Sequence, residues 1–266
     1  MSIWEAFILG CVQAFTEFLP VSSSGHLVLT QAVLGVDLEG GASFEVAVHL
    51  GTLLSVVCLF WKEVTFLIQG GLPYLRTAWP LDRQQEWSML MRFIILGSIP
   101  AGVIGILFKD ELESAFGNVK GVGAALCITG VILLSTWKKQ GKRTQIGFMD
   151  ALLIGGAQAV AILPGISRSG STIAMALFLN ISRTRAARLS FLLSLPVVGG
   201  AGLLKALDLV ESPPTSQEWI GLCVGAGTSF VVGLGALWGM LKWVESSAFS
   251  FFGIYCLGVG GYVLVM

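Results

Sequence analysis

The chain has 266 residues, of which 55% are hydrophobic and only 12% charged, and its formal net charge is zero. A soluble domain of this length carries about 25% charged residues, so a soluble enzyme is excluded and a polytopic all-α membrane protein is expected instead. The apolar runs are long rather than short and alternating, which excludes a transmembrane barrel, and the neutral composition offers no nucleic-acid partner a basic surface.

The first apolar segment, roughly 3–35, is long enough to cross the membrane but is interrupted from Pro20 to Gly25. Proline removes a ladder donor and glycine loosens the helix. Irregular backbone at membrane depth survives only where protein buries it or where it lines a cavity. The segment therefore reads as a re-entrant hairpin of two half-helices. Full spans are expected at roughly 44–67, 90–108 and 119–137, with the longest polar connection from Lys62 to Trp87. A second broken segment, roughly 147–180, is interrupted from Pro164 to Gly170, and three more spans follow at roughly 185–207, 219–241 and 248–266. About ten helices result, forming one integral membrane domain over 1–266. No cleavable leader stands out, and the N-terminus reads as the first membrane element. The five cysteines, Cys11, Cys58, Cys127, Cys223 and Cys256, are scattered without metal or redox spacing and read as packed thiols.

The two broken segments resemble each other. GCVQAFTEFLPVSSSGH from Gly10 and GGAQAVAILPGISRSGS from Gly155 align Gln13 with Gln158, and Ser22 to Gly25 with Ser167 to Gly170, about 145 residues apart. The chain thus reads as two repeats, about 3–140 and 147–266. Three intervening spans invert the second relative to the first. With the hairpins re-entrant, twelve Lys and Arg residues fall on one side, among them Lys138, Lys139, Arg143, Arg183, Arg185 and Arg188. Only Lys109, Lys120 and Lys205 fall on the other. The basic side is cytoplasmic, so both termini face outward. The hairpins enter from opposite faces and their tips can meet near the midplane, where inverted repeats place binding sites.

The tips carry the chemistry. Gln13 and Glu17 share one helix face, and an ionisable group inside a membrane segment points to function. Ser22, Ser23 and Ser24 exceed what one N-cap requires. His26 suits a general base or proton relay. In the second tip, Arg168 needs an anion: either Glu17 or a phosphate held by the guanidinium fork and the helix N-terminus. Ser167, Ser169, Ser171 and Thr172 add donors. Glu45 stands where it could face the same cavity. His49, one turn further on, reads as structural. The set suits phosphoryl transfer better than ion conduction.

At these residues the sequence resembles the undecaprenyl-diphosphate phosphatases linked to bacitracin resistance. One signature is Gln13-Ala14-Phe15-Thr16-Glu17 running into Phe18 to His26, and the other is Pro164-Gly165-Ile166-Ser167-Arg168-Ser169-Gly170-Ser171-Thr172. Gln13 stands where many relatives have Glu, and His49 where they often have Gln. The resemblance implies hydrolysis of the lipid diphosphate to lipid monophosphate and phosphate, which recycles the carrier for cell-wall precursors and confers bacitracin resistance. It implies a bacterial inner-membrane protein with inverted repeats and a site open to the outer face. It also implies a divalent cation, Mg²⁺ or Ca²⁺, with Glu17 and Glu45 as the acidic ligands on offer.

On this reading the polyprenyl diphosphate, its tail in the bilayer, sits between the tips. Arg168, Ser22, Ser24, Ser167, Ser169 and Thr172 hold its phosphates. Ser23, His26 or a positioned water is the nucleophile, with His26 the base when serine or water attacks. Glu17 orients His26 or binds the metal, and Gln13 and Glu45 support. Phosphatidate-phosphatase-like enzymes share the Ser-Gly-His and Ser-Arg motifs but need a later histidine, and Ala174 stands there with none following. A transporter or flippase of a phosphorylated lipid or organic anion is the non-enzyme alternative. The oligomeric state is left open, a homodimer included.

Overall fold

A computed structural model of the chain describes residues 1–36, 41–69, 83–211 and 214–266. Among them the ordered elements are twelve α-helices and a short 3₁₀ turn. The first interruption falls where proline and the serines put it: α1 (Ile3–Phe18) ends before Pro20, and α2 (Ser23–Leu34) begins behind the N-cap Ser22. The second behaves alike. α8 (Phe148–Val160) ends ahead of Pro164, and α9 (Arg168–Phe178) begins behind the N-cap Ser167. At 1.5 Å per residue, arms of 16, 12, 13 and 11 residues fall short of a hydrocarbon core about 30 Å thick. Each pair of arms packs against itself, α1 on α2 and α8 on α9.

The remaining helices are α3 (Gly41–Leu59), α4 (Trp61–Gln69), α5 (Arg83–Leu107), α6 (Lys109–Phe116) and α7 (Val119–Ser135) after the first hairpin. After the second come α10 (Arg183–Glu211), α11 (Ser216–Trp243), the 3₁₀ turn (Ser247–Phe251) and α12 (Phe252–Val265). Four stretches, Met89–Leu107, Arg183–Leu203, Glu218–Trp243 and Ala248–Val265, are long and apolar enough to cross a membrane. Two bent pairs, α3 with α4 and α6 with α7, raise this to six. The chain is an all-α, multi-pass membrane protein.

The span expected at 44–67 is not one straight helix. It turns by 91° after Leu59, and α4 runs off at a right angle. No glycine or proline marks the bend. The physical reason is charge: Lys62 and Glu63 would otherwise enter the hydrocarbon. In the bent chain Glu63, 9% exposed, pairs with Arg188 at the start of α10. Part of the polar connection expected from Lys62 to Trp87 lies outside the described residues. The short polar helix α6, at 98° to α7, was not expected either. Trp61, Trp137, Trp219 and Trp243 sit near helix ends with roughly half their surface exposed, as interfacial anchors do.

Packing follows a two-fold pattern. α1 and α3 both lie on α11, while α8 and α10 both lie on α5; α3 meets α10, and α7 meets α12. Exchanging α1 with α8, α3 with α10, α5 with α11 and α7 with α12 converts each pairing into another of the same set. The aligned glycines sit at matching crossings. A Cβ on Gly10 would stand 2.8 Å from the Gly225 carbonyl oxygen of α11, and one on Gly155 would strike the Gly97 backbone of α5. Small residues allow such close approach between membrane helices. The core joins both halves, with Phe18 and Phe191 edge-to-face at 5.8 Å.

Candidate active site

The two interruptions touch. Ser22 caps α2, and its Oγ accepts hydrogen bonds from the amides of Gly25 (3.4 Å) and of Gly165 in the opposite tip (3.1 Å). This serine is held at φ 69°, and Gly165 at φ 95°. A non-glycine residue there carries strain on the order of 1–3 kcal/mol, and such strain concentrates at functional sites. Thr129 of α7 clasps the second tip from behind, donating to the Gly165 carbonyl at 2.8 Å and accepting from the Ser167 amide at 3.0 Å. Ser169 Oγ donates to the Leu19 carbonyl at 3.3 Å. Two helix N-termini are thereby fixed side by side, their unpaired amide dipoles on one space.

Glu17 is the hub of that space. One carboxylate oxygen pairs with the Arg168 guanidinium. The other accepts from Ser23 Oγ at 2.6 Å and from Gln13 Nε2 at 3.0 Å. His49 Nε2 stands 3.5 Å from that same oxygen, while His49 Nδ1 donates to the Glu45 carbonyl at 2.7 Å. Glu17 and Arg168 are 8% and 17% exposed, so the pair is largely desolvated and its removal on one side leaves an uncompensated charge. Gln13 and Glu17 share a face of α1 as their spacing predicts, and Gln13 also reaches Thr52 of α3.

A cavity of about 270 Å³ opens over these groups. Glu17, Ser22, Ser23, Ser24, Ser167, Arg168 and Ser169 line it, together with Glu45, His49 and Gln158. The rest of its wall is mostly apolar, with Val46, Phe116, Ala161, Ile162, Ile166, Val197 and Val198 among its residues beside Thr16 and Ser194. A polar floor under an apolar wall suits an amphiphile whose headgroup is charged.

Two of the expected site residues are placed elsewhere. His26 does not line the cavity. Its Nδ1 donates to the Ser22 carbonyl at 2.8 Å, its Nε2 lies 2.8 Å from the Tyr255 hydroxyl, and its ring stacks on Tyr255 of α12. Both nitrogens are engaged, one by the Ser22 carbonyl and one by the Tyr255 hydroxyl, so His26 braces the first tip. Thr172 is fully buried behind Arg168; its hydroxyl bonds the Arg168 carbonyl (2.8 Å) and Ser190 Oγ (2.6 Å). Both residues follow their tip serines around the helix to its inner face.

His49, read as structural from the sequence, belongs to the cavity; its spacing of four from Glu45 was the available signal. Thr52, Thr129, Ser190 and Tyr255 were missed, because partners so distant in the chain leave no local pattern.

Glu17, the expected metal ligand, has both carboxylate oxygens engaged by protein groups. A guanidinium occupies one of its oxygens and hydrogen-bond donors the other, and among the described residues no three His, Cys, Asp or Glu side chains converge. A hard cation needs several oxygen ligands; the cavity wall carries the carboxylates of Glu17 and Glu45 and the hydroxyls of Ser22, Ser23 and Ser24.

Comparison with known proteins agrees with the geometry. A family model described as Bacitracin resistance protein BacA matches residues 6–262. The chain is 41% identical over 267 residues to the undecaprenyl-diphosphatase of Salinibacter ruber, covering 98% of each chain. It is 41% identical over 270 residues to that of Desulforapulum autotrophicum, covering 98% of this chain and 96% of the relative. It is 37% identical over 271 residues to that of Halothermothrix orenii, covering 100% and 98%. With residues 6–262 matched by the family model and nearly the full length of these relatives covered, the chain belongs to the BacA bacitracin-resistance family.

Proposed function

We infer that this protein is an undecaprenyl-diphosphate phosphatase: it hydrolyses the lipid diphosphate to undecaprenyl phosphate and inorganic phosphate. In doing so it recycles the lipid carrier of cell-wall synthesis and confers resistance to bacitracin. The observation that carries the reading is Ser23 Oγ donating to Glu17 at 2.6 Å inside a cavity that also holds Arg168. It stands in a chain whose relatives are named undecaprenyl-diphosphatase over their whole length.

The residues divide the work as follows. The terminal phosphate displaces Glu17 from the Arg168 fork, and the guanidinium then holds two phosphate oxygens. The amides at the starts of α2 and α9 face the charge that develops on the phosphoryl group. Ser23 Oγ attacks the terminal phosphorus and its proton passes to Glu17. The bond to the bridging oxygen breaks, Glu17 passes that proton to the departing oxygen, and undecaprenyl phosphate leaves with the carboxylate restored. Water, deprotonated by Glu17, then attacks the phosphoserine, and the Ser23 oxygen leaves as the hydroxyl with inorganic phosphate released. Ser22, Ser24, Ser167 and Ser169 shape the phosphate pocket. Gln13 and His49 orient Glu17. His26 and Thr172 act as positioning residues, one behind each tip.

The polyprenyl tail lies along the apolar wall. The lining residues support an opening toward the outer face. Ala201 and Gly202 lie beyond the middle of α10, away from its basic start at Arg183, Arg185 and Arg188, and Phe116 belongs to α6, near Lys109 and Lys120. With the basic side cytoplasmic, both termini are outside and the protein resides in the bacterial inner membrane. Glu17 and Glu45 on the cavity wall, with the substrate's own phosphate oxygens, would hold a Mg²⁺ or Ca²⁺ ion, which would supply charge neutralisation at the diphosphate. The site is complete within one chain.

The deciding experiment is phosphate release from undecaprenyl diphosphate by the purified protein in detergent, where no second compartment exists. Turnover that Ser23→Ala abolishes supports the reading. Transport without hydrolysis, or an active Ser23→Ala, overturns it.

A further inference from the structure

Gln158 is the inverted counterpart of Gln13, and the two differ in what they touch. In the first repeat the carboxamide of Gln13 finds its acceptor four residues on, at Glu17. In the second repeat the residue four on from Gln158 is Ile162. Gln158 is 1% exposed, lines the cavity, and neither its Nε2 nor its Oε1 has a hydrogen-bond partner. A buried amide left unpaired on both atoms is costly, and protein interiors rarely tolerate it without a ligand or a function.

We propose that Gln158 is a binding residue for the lipid-side phosphate of the substrate, donating its Nε2–H to a non-bridging oxygen of that group. The proposal rests on the phosphatase reading above. The first tip supplies the carboxylate, the hydroxyl of Ser23 and, across from them, Arg168, all aimed at the phosphate that is cleaved off. Gln158 brings no charge and no nucleophile. Its neighbours on the same wall are Ala161, Ile162 and Ile166, surfaces that suit the first isoprene units. A neutral donor beside apolar side chains matches the phosphate that stays on the lipid. With Ile162 where the first repeat has Glu17, the two related halves are unequal: the first carries the base and the nucleophile, and the second, besides Arg168, grips the part of the substrate that survives the reaction.

The two products separate these roles, because undecaprenyl phosphate keeps the lipid-side phosphate and inorganic phosphate does not. The test is product inhibition of the purified wild type, Gln158→Leu and Gln158→Glu in detergent. Gln158→Leu is expected to raise KM for undecaprenyl diphosphate and Ki for undecaprenyl phosphate by about 10- to 100-fold, the range of one hydrogen bond to a charged oxygen. kcat and Ki for inorganic phosphate should stay within about twofold, the pattern of lost uniform binding. Gln158→Glu keeps the shape and adds repulsion, so its effect on both constants per folded molecule should be larger; it decides the matter if Gln158→Leu does not fold. An unchanged Ki for undecaprenyl phosphate, or an equal weakening of both inhibitors, overturns the assignment while leaving the activity standing. A wild type that releases no phosphate overturns both.

Discussion

Ser22 Oγ and the Gly165 amide meet at 3.1 Å across 143 residues of sequence. With the bond from Ser169 Oγ to the Leu19 carbonyl it joins the two tips, and it uses an atom that also caps α2. Ser22→Ala removes the acceptor from two buried amides. It is expected to cost about 1–3 kcal/mol of stability and to lower kcat at least tenfold by loosening the spacing of Ser23 and Arg168. Thermal unfolding in detergent and turnover of undecaprenyl diphosphate measure the two effects. Gly165→Ala should be worse. Its Cβ would stand 2.5 Å from the Val122 carbonyl oxygen and 2.6 Å from Ala125 Cβ, at a φ of 95° that L-residues avoid. Protein that retains a wild-type midpoint and full turnover after that change would contradict the contact.

Glu17 is expected to be the least replaceable residue of the chain. Glu17→Gln keeps the size and removes both the base and the counter-charge of Arg168. Turnover should fall by at least about 10³-fold. Glu17→Asp draws the carboxylate back from Ser23 and should retain a measurable fraction. Rapid quench with radiolabelled undecaprenyl diphosphate should capture a phosphoserine at Ser23, most readily in a variant slowed at the second step. Label found on His26 instead would refute the assignment.

His26 separates bracing from proton transfer. If it only holds Ser22 against Tyr255, His26→Gln should lose about 10- to 100-fold in kcat with an unchanged pH profile, and Tyr255→Phe should lose less. A general base would behave differently: its removal would abolish the limb of the profile that tracks its titration. The readout is kcat/KM against pH for wild type and both variants.

How much of this was legible in the sequence follows from the range of each signal. The hairpin breaks at Pro20 and Pro164 and the shared face of Gln13 and Glu17 are local and appear where expected, and of the three serines 22–24 it is Ser22 that caps α2. The pairing of Glu17 with Arg168 was one of two options for an obligate cation, and the structure realises it. His26 was misplaced because spacing gives a residue's position along a helix but not the direction it faces once its partner, Tyr255, comes from the far end of the chain. The bend after Leu59 was hidden for a related reason. Its cause is the pairing of Glu63 with Arg188, 125 residues away, and nothing in α3 itself weakens the helix.

That pair makes the last prediction. Glu63 is 9% exposed and held by Arg188, whose side chain is 39% exposed at the cytoplasmic start of α10. Removing the arginine strands a nearly buried carboxylate, whereas removing both charges does not. Arg188→Leu is expected to destabilise the protein by about 1–3 kcal/mol. Glu63→Leu combined with Arg188→Leu should recover most of the loss, a positive coupling in a double-mutant cycle read by thermal unfolding in detergent. Turnover per folded molecule should remain near wild type in both, because neither residue lines the cavity. Additive destabilisation, with no recovery in the double variant, would show that the bend after Leu59 does not depend on this pairing.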